Sequence, residues 1–129
     1  MPTDRDLFRN FERMRREVDE LFGEVLRPRR RAGFVPAVDV FYADRPARVV
    51  VRAELAGIRS EDLALEVRGR DLILAGVRHP ERAAGRSYEQ LEIETGPFRR
   101  IIALAVDVDS GGARATYLDG VLTVELPVV

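Results

Sequence analysis

Few side chains in this chain of 129 residues can do covalent or proton-transfer chemistry, and their spacing argues against an enzyme. There is one histidine, His79, beside Pro80, and no cysteine. A Cys–His nucleophile pair, a multi-His zinc site and a thiolate metal site all need more than that. A Ser–His–Asp triad would have to bring His79 to Ser60, Ser87 or Ser110 beside an oxyanion hole, and nothing in the spacing arranges this. The carboxylate pairs Glu61/Asp62 and Asp107/Asp109 sit in turn-like segments, where acids are common. They form neither a glycosidase pair nor a calcium loop. Gly111-Gly112 has no lysine after it and opens no helix, so it is not a phosphate cradle. No cofactor and no catalysis are expected. What remains is a chain whose chemistry is that of surfaces meeting other proteins.

Composition bounds the partners. Apolar residues make up 46% of the chain, enough for one domain with a real core. Charged residues make up 33%, yet the net charge is -1, without the basic excess of a duplex binder. No nucleic-acid partner is expected. All 21 basic residues are arginine, a side chain suited to bidentate carboxylate pairing and aromatic stacking. No stretch approaches the ~20 apolar residues of a membrane span. Asp4 and Asp6 stand where a signal peptide would carry its apolar core, so a cytoplasmic location is expected. The lack of cysteine agrees with a reducing compartment.

Two periodicities divide the chain. Leu7, Phe11, Met14, Val18, Leu21 and Val25 are spaced by alternating steps of four and three, which puts them on one face of a helix. Phe8 and Phe22 widen that stripe. Thr3 or Asp4 can cap the start, Asp6 suits the first turn, and Pro28 ends the run. The pattern predicts an amphipathic helix over about 4–26. Its stripe must cover a β-domain, pair with a copy of itself, or meet a client protein. Residues 28–33, with Arg27, Arg29, Arg30 and Arg31 around Pro28, read as a solvated tether. An N-terminal arm over 1–33 and a domain over 34–129 follow.

From Val35 the period becomes two. Val38 and Val40 flank Asp39, and Leu63, Leu65 and Val67 flank Ala64 and Glu66. Val49 and Val51 alternate with Val50 and Arg52, so that strand is partly buried on both faces. Leu72–Leu74, Leu91–Ile93, Phe98–Val106, Ala113–Leu118 and Val121–Leu126 complete about eight short strands. Asp44-Arg-Pro46 breaks the first pair. Arg68-Gly-Arg-Asp71 reads as a hairpin in which Gly69 supplies positive φ. Asp119-Gly120 between two apolar runs is a strong hairpin signal. Many short strands and no long internal helix predict an all-β, immunoglobulin-like antiparallel sandwich preceded by the helix. The polar segment Val77–Arg86, with Pro80 and Gly85, is long for a hairpin and marks a candidate functional loop.

These strands carry a resemblance. Ala115-Thr-Tyr-Leu-Asp-Gly-Val-Leu122 resembles the Ala-x-x-x-Asn/Asp-Gly-Val-Leu signature of the small heat shock proteins, the α-crystallin domain family, in its bacterial form. Thr123-Val-Glu-Leu-Pro127 continues it. Pro36-Ala-Val-Asp-Val40 looks like the family's domain opening. Leu55-Ala-Gly-Ile-Arg-Ser-Glu-Asp-Leu63 is similar to its Leu-Pro-Gly turn. Leu72-Ile-Leu-Ala-Gly-Val-Arg78 and Gly96-Pro-Phe-Arg-Arg-Ile-Ile-Ala-Leu104 match two more of its segments in order, so the resemblance spans about 35–127. It implies an α-crystallin domain in an ATP-independent holdase for stress, which binds unfolding client proteins through exposed apolar surface and keeps them from aggregating. An adaptor with one specific partner is the alternative, and selectivity separates the two.

The resemblance also implies sites. Client contact would fall on Leu7, Phe8, Phe11, Met14, Val18, Leu21 and Phe22. A groove would run along Leu63, Leu65, Val67, Ala115 and Tyr117. Arg86–Ile93 could be the strand that bacterial and plant members add to a neighbouring subunit's sheet. That implies a strand-exchanged homodimer, and larger assemblies beyond it, with Tyr88, Leu91, Ile93 and Arg100 at the interface. Arg100, at the family's arginine position, would lie near the dimer centre or in an ion pair. The family's Ile-x-Ile tail has no room after Pro127-Val-Val129, so tail-linked cages are not expected. Ala56 and Ala105 stand where the family often has proline, and Ile93 where it often has arginine.

Overall fold

The computed structural model describes residues 34–81 and 83–129. The helix expected over 4–26 lies outside the described residues. Seven strands form two antiparallel sheets: β1 (Val38–Ala43), β2 (Arg48–Glu54), β3 (Leu63–Arg68), β4 (Asp71–Arg78), β5 (Gly96–Ala103), β6 (Arg114–Leu118) and β7 (Val121–Pro127). One sheet has the order β1-β2-β7-β6 and the other β3-β4-β5. The chain crosses between sheets twice, after β2 and after β5, which makes the sandwich that alternation of apolar residues calls for. Short 3-10 turns at Ser60–Asp62 and Ser110–Gly112 sit just before β3 and β6.

The hairpins follow from local chemistry. Arg68 pairs with Asp71, leaving Gly69 and Arg70 as the connection, with Gly69 at φ 62°. Leu118 pairs with Val121, and both turn residues have positive φ, 53° at Asp119 and 78° at Gly120. Two positive φ values in a two-residue loop are a type I′ turn, whose twist matches the flanking strands. A side chain on Gly120 would also stand 2.9 Å from the Ala56 Cα. The β1–β2 turn is tied by Arg48, which donates from Nη1 to the carbonyls of Asp44 and Pro46 and from Nε to Glu125 at 3.1 Å.

Strand alternation builds the core. Leu63 and Leu65 from β3, Leu72 and Leu74 from β4, and Leu122 and Leu126 from β7 are all at most 1% exposed. Each such burial contributes about 1.5–3 kcal/mol. Phe98 and Leu104 are buried in the same cluster, and so is Ala115. Phe98 packs on Phe34 with ring centroids 5.0 Å apart. Gly76 leaves space for this: a Cβ there would collide with the Asp62 carbonyl and lie 2.7 Å from Phe98 Cζ.

Two expectations need correction. Leu91–Ile93 forms no strand in the single chain, so the described residues hold seven strands rather than about eight. Alternation was present there, but no strand among the described residues pairs with it. The segment expected as a strand over Phe98–Val106 pairs only over Gly96–Ala103, because β4 ends opposite Ala103 at Asp71.

Candidate protein-binding surfaces

The acids considered for catalysis are used as fasteners. Asp107 accepts from Arg70 Nε at 2.7 Å, tying the β3–β4 turn to the segment after β5. This hydrogen bond and the adjacent guanidinium charge hold the Asp107 carboxyl below its ordinary range and raise Arg70 above its own. Asp109 accepts from the Gly111 N–H at 3.0 Å and so caps its own turn. Asp62 stands 3.6 Å from Arg59 Nε and 3.7 Å from His79 Nε2. Among the described residues no three His, Cys, Asp or Glu side chains gather as a metal site would require. No helix among them is long and apolar enough to cross a membrane.

Open sheet edges dominate the surface. Among the described residues β1, β6, β3 and β5 each pair on one side only. An unpaired strand edge is a template for another strand. β1 is also apolar: Val40 is 43% exposed, Phe41 44% and Tyr42 55%. Val40 and Tyr42 pair with the buried Val51 and Val49, so they point toward the opposite sheet. They remain exposed because that sheet has three strands against four and does not reach beneath β1. The sequence reading did not single out this strip; three consecutive uncharged, bulky residues on an edge strand were the available signal.

The loop from His79 to Thr95 carries the second apolar surface. Leu91 is 76% exposed and Ile93 80%. Tyr88, the third loop residue expected at an interface, donates to the Glu81 carbonyl at 3.0 Å. Arg86 bonds with Tyr88 and with Glu81, which raises its pKa above the ordinary arginine value. These bonds close a small turn within the loop and leave Leu91 and Ile93 bare. Arg78 anchors the loop's far end by donating to the Glu94 carbonyl at 3.1 Å, while its guanidinium lies 4.0 Å over the Phe34 ring. Sequence reasoning missed Arg78, since nothing local marks a strand-end arginine as a stacking partner.

Arg100 is not placed with the loop residues. It donates from Nη1 to the Pro36 carbonyl at 2.8 Å, part-buried, so within the chain its partner is a backbone oxygen rather than a carboxylate. The five groove residues are not equally available. Leu63, Leu65 and Ala115 are at most 1% exposed within the core, and only Val67 and Tyr117 are partly open. Tyr117 donates its hydroxyl proton to the Leu55 carbonyl and accepts from the Ile58 N–H at 3.3 Å, locking β6 to the segment that leads into β3. The stripe residues Leu7, Phe8, Phe11, Met14, Val18, Leu21 and Phe22 lie outside the described residues.

Among the described residues, an antiparallel sandwich with four open edges and bare apolar side chains defines the class of fold. The sequence profile of the Hsp20/alpha crystallin family matches residues 42–129. The chain belongs to that family, and the resemblance read from its motifs is shown. The "18 kDa antigen 1" of Mycobacterium avium is 31% identical over 113 residues, covering 88% of this chain and 74% of that protein. Heat shock protein 16.0 of Schizosaccharomyces pombe has the same fold at a TM-score of 0.69, with 28% identity over 74% of this chain and 88% of that one. A small heat-shock protein of Xylella fastidiosa superposes at 0.66, with 30% identity over 75% of this chain and 88% of that one.

Proposed function

We propose that this protein is an ATP-independent holdase acting in the cytoplasm, which binds unfolding proteins on apolar surface and acts as a strand-exchanged dimer. The observation that carries the reading is the pairing of two incomplete features on one chain. Among the described residues Leu91 and Ile93 alternate like a strand but have no strand partner, and β1 has an open apolar edge. A segment lacking a partner in its own chain and an edge lacking a neighbour complete each other between two chains, by β-strand addition. In this reading Tyr88, Leu91 and Ile93 of one protomer approach β1 of the other. Arg100 steadies the Pro36 backbone just ahead of that edge.

Client contact divides between the arm over 1–33, with its stripe from Leu7 to Phe22, and the β3 and β6 edges beside Val67 and Tyr117. An unfolded chain reaches those edges by backbone pairing, which tolerates any side-chain sequence and suits unrelated clients. Nothing in this mode needs a nucleotide, a cofactor or a nucleic acid. The test is light scattering of two unrelated heat-labile proteins, warmed with and without this protein in the absence of ATP. Suppression of both at near-stoichiometric amounts is expected. Saturable binding of one partner without general suppression replaces the holdase with an adaptor.

A further inference from the structure

The loop from His79 to Thr95 is gripped at its neck by a side chain held at a cost. Arg78 closes β4 opposite Gly96, so the two stems of the loop meet there. Its Nη1 donates to the Glu94 carbonyl at 3.1 Å, and its guanidinium carbon lies 4.0 Å from the centroid of the Phe34 ring. Yet the Nε of the same group is buried without a hydrogen-bond partner among the described residues. A buried N–H left unpaired is costly, and a native structure that keeps one has a reason for it. Here the orientation that leaves Nε unpaired is the one that meets the ring and the carbonyl together. Phe34 in turn packs on Phe98 with centroids 5.0 Å apart, and Phe98 is fully buried in space that Gly76 leaves open. A column of planar groups, Phe98, Phe34 and Arg78, thus runs from the core to the stem of the loop. Nearer the loop's start, Arg86 and Tyr88 are both tied to Glu81. Residues 89–93, between the two fastenings, carry the bare Leu91 and Ile93.

We propose that Arg78 is a positioning residue for the interface loop: held on Phe34, it fixes the Glu94 backbone and so presents Leu91 and Ile93 to a second copy of this chain in a preformed arrangement. The inference rests on the strand-exchange reading above and names the device that strengthens the exchange. Glu94 follows Ile93 directly, so a bond to its carbonyl restricts the stretch of backbone that carries the apolar pair. A loop ordered before it pairs gives up less conformational freedom on binding, and the complex is tighter for it. Arginine suits this task because its planar fork can lie on a ring while an N–H at its edge donates to a carbonyl. A lysine ammonium is a point charge on a flexible stem and meets one or the other. The stack also refers the loop to the rigid part of the molecule, since Phe98 is 0% exposed and Phe34 8%. Arg78 therefore keeps its place while the residues it presents stand in water.

The absence of cysteine allows a single nitroxide label at Gln90→Cys in the full chain. Leu91→Asp and Ile93→Asp are added so that pairing cannot itself order the loop. Arg78→Met, which keeps the bulk of the stem, is expected to narrow the label's electron paramagnetic resonance spectrum toward that of an unfolded chain. Arg78→Lys should do the same. In the unlabelled chain without the aspartates, Arg78→Met is expected to raise the dimer dissociation constant about tenfold in sedimentation equilibrium. Phe34→Leu should shift it in the same direction, and the double variant should be no weaker than Arg78→Met alone, because the ring acts through the arginine. A residue that only stabilises the fold would lower the urea midpoint and move neither the label nor the dimer. Equal label mobility with arginine and methionine overturns the proposal. So do additive effects of the two substitutions, or an unchanged dissociation constant in a dimer that the two aspartates abolish. A label freed by Arg78→Met in a chain whose dimer survives both aspartates removes strand exchange instead, and leaves Arg78 as the residue that orders the loop.

Discussion

At the scale of single residues, three positions show how close packing and polar fastening hold this sandwich. Gly76 sits in the middle of β4 because the Asp62 backbone and the Phe98 ring leave no room for a methyl group. Gly76→Ala is expected to destabilise the fold by about 1–3 kcal/mol, as overpacking does, measured by urea unfolding. An unchanged midpoint would mean that the backbone of the 3-10 turn at Ser60–Asp62 yields freely. Tyr117→Phe removes a hydroxyl that serves the Leu55 carbonyl and the Ile58 N–H, and is expected to cost about 1 kcal/mol or somewhat more in the same assay. Asp107 behaves differently because it is exposed. Its folded pKa lies below its unfolded one, so its contribution is present above the ordinary carboxylate range and is lost as pH falls through the folded value. Asp107→Asn is therefore expected to lower the melting temperature slightly at neutral pH and low salt. The difference should vanish in acid or at high salt, where the Arg70 pairing is protonated away or screened. A gap that persists in acid would assign the effect to something other than this ion pair.

At the scale of elements, the loop after β4 is the part that is incomplete. Leu91 and Ile93 contribute almost nothing to the fold of one chain because both are mostly in water. Leu91→Asp with Ile93→Asp is thus expected to change unfolding stability of a monomer by no more than about 0.5 kcal/mol. The same pair of substitutions should convert a dimer to a monomer in sedimentation velocity, since charges would have to enter a pairing seam. A dimer that survives both substitutions would remove the exchanged strand from the interface. The exposed β1 strip makes a matching element. Tyr42→Lys should weaken the dimer while leaving the hairpin intact, because edge lysines discourage strand addition without disturbing the inner ladder.

At the scale of the whole molecule, the domain is a stable core wrapped in unsatisfied edges. Such an object avoids aggregation only if its edges find regulated partners: another protomer, a client, or part of its own chain. Dilution to low micromolar concentration is expected to leave the dimer intact; a folded monomer by sedimentation would contradict strand exchange. Family membership places this architecture among the small heat shock proteins.

Much of this was legible without coordinates, for reasons that are local. Alternation of period two gave β2, β3, β4 and β7 because each has one face against a core, and that pattern is written in consecutive residues. Asp119-Gly120 announced its hairpin because positive φ at two successive positions restricts the residue types that fit. The ordered motifs from Pro36 to Pro127 revealed the family, since each of them serves a turn or a core position that the fold needs. Tertiary structure decided the rest. That Val40 and Tyr42 point inward yet stay wet depends on the opposite sheet being one strand narrower. That Leu63, Leu65 and Ala115 are buried while Val67 and Tyr117 stay partly open depends on how closely the two sheets approach. That Arg100 meets a carbonyl and Arg78 stacks on Phe34 depends on contacts across 64 and 44 residues of chain, which no local pattern encodes. The sequence by itself determined which residues turn and which alternate; only the packing of one sheet on the other decided which of the alternating residues were left for a partner.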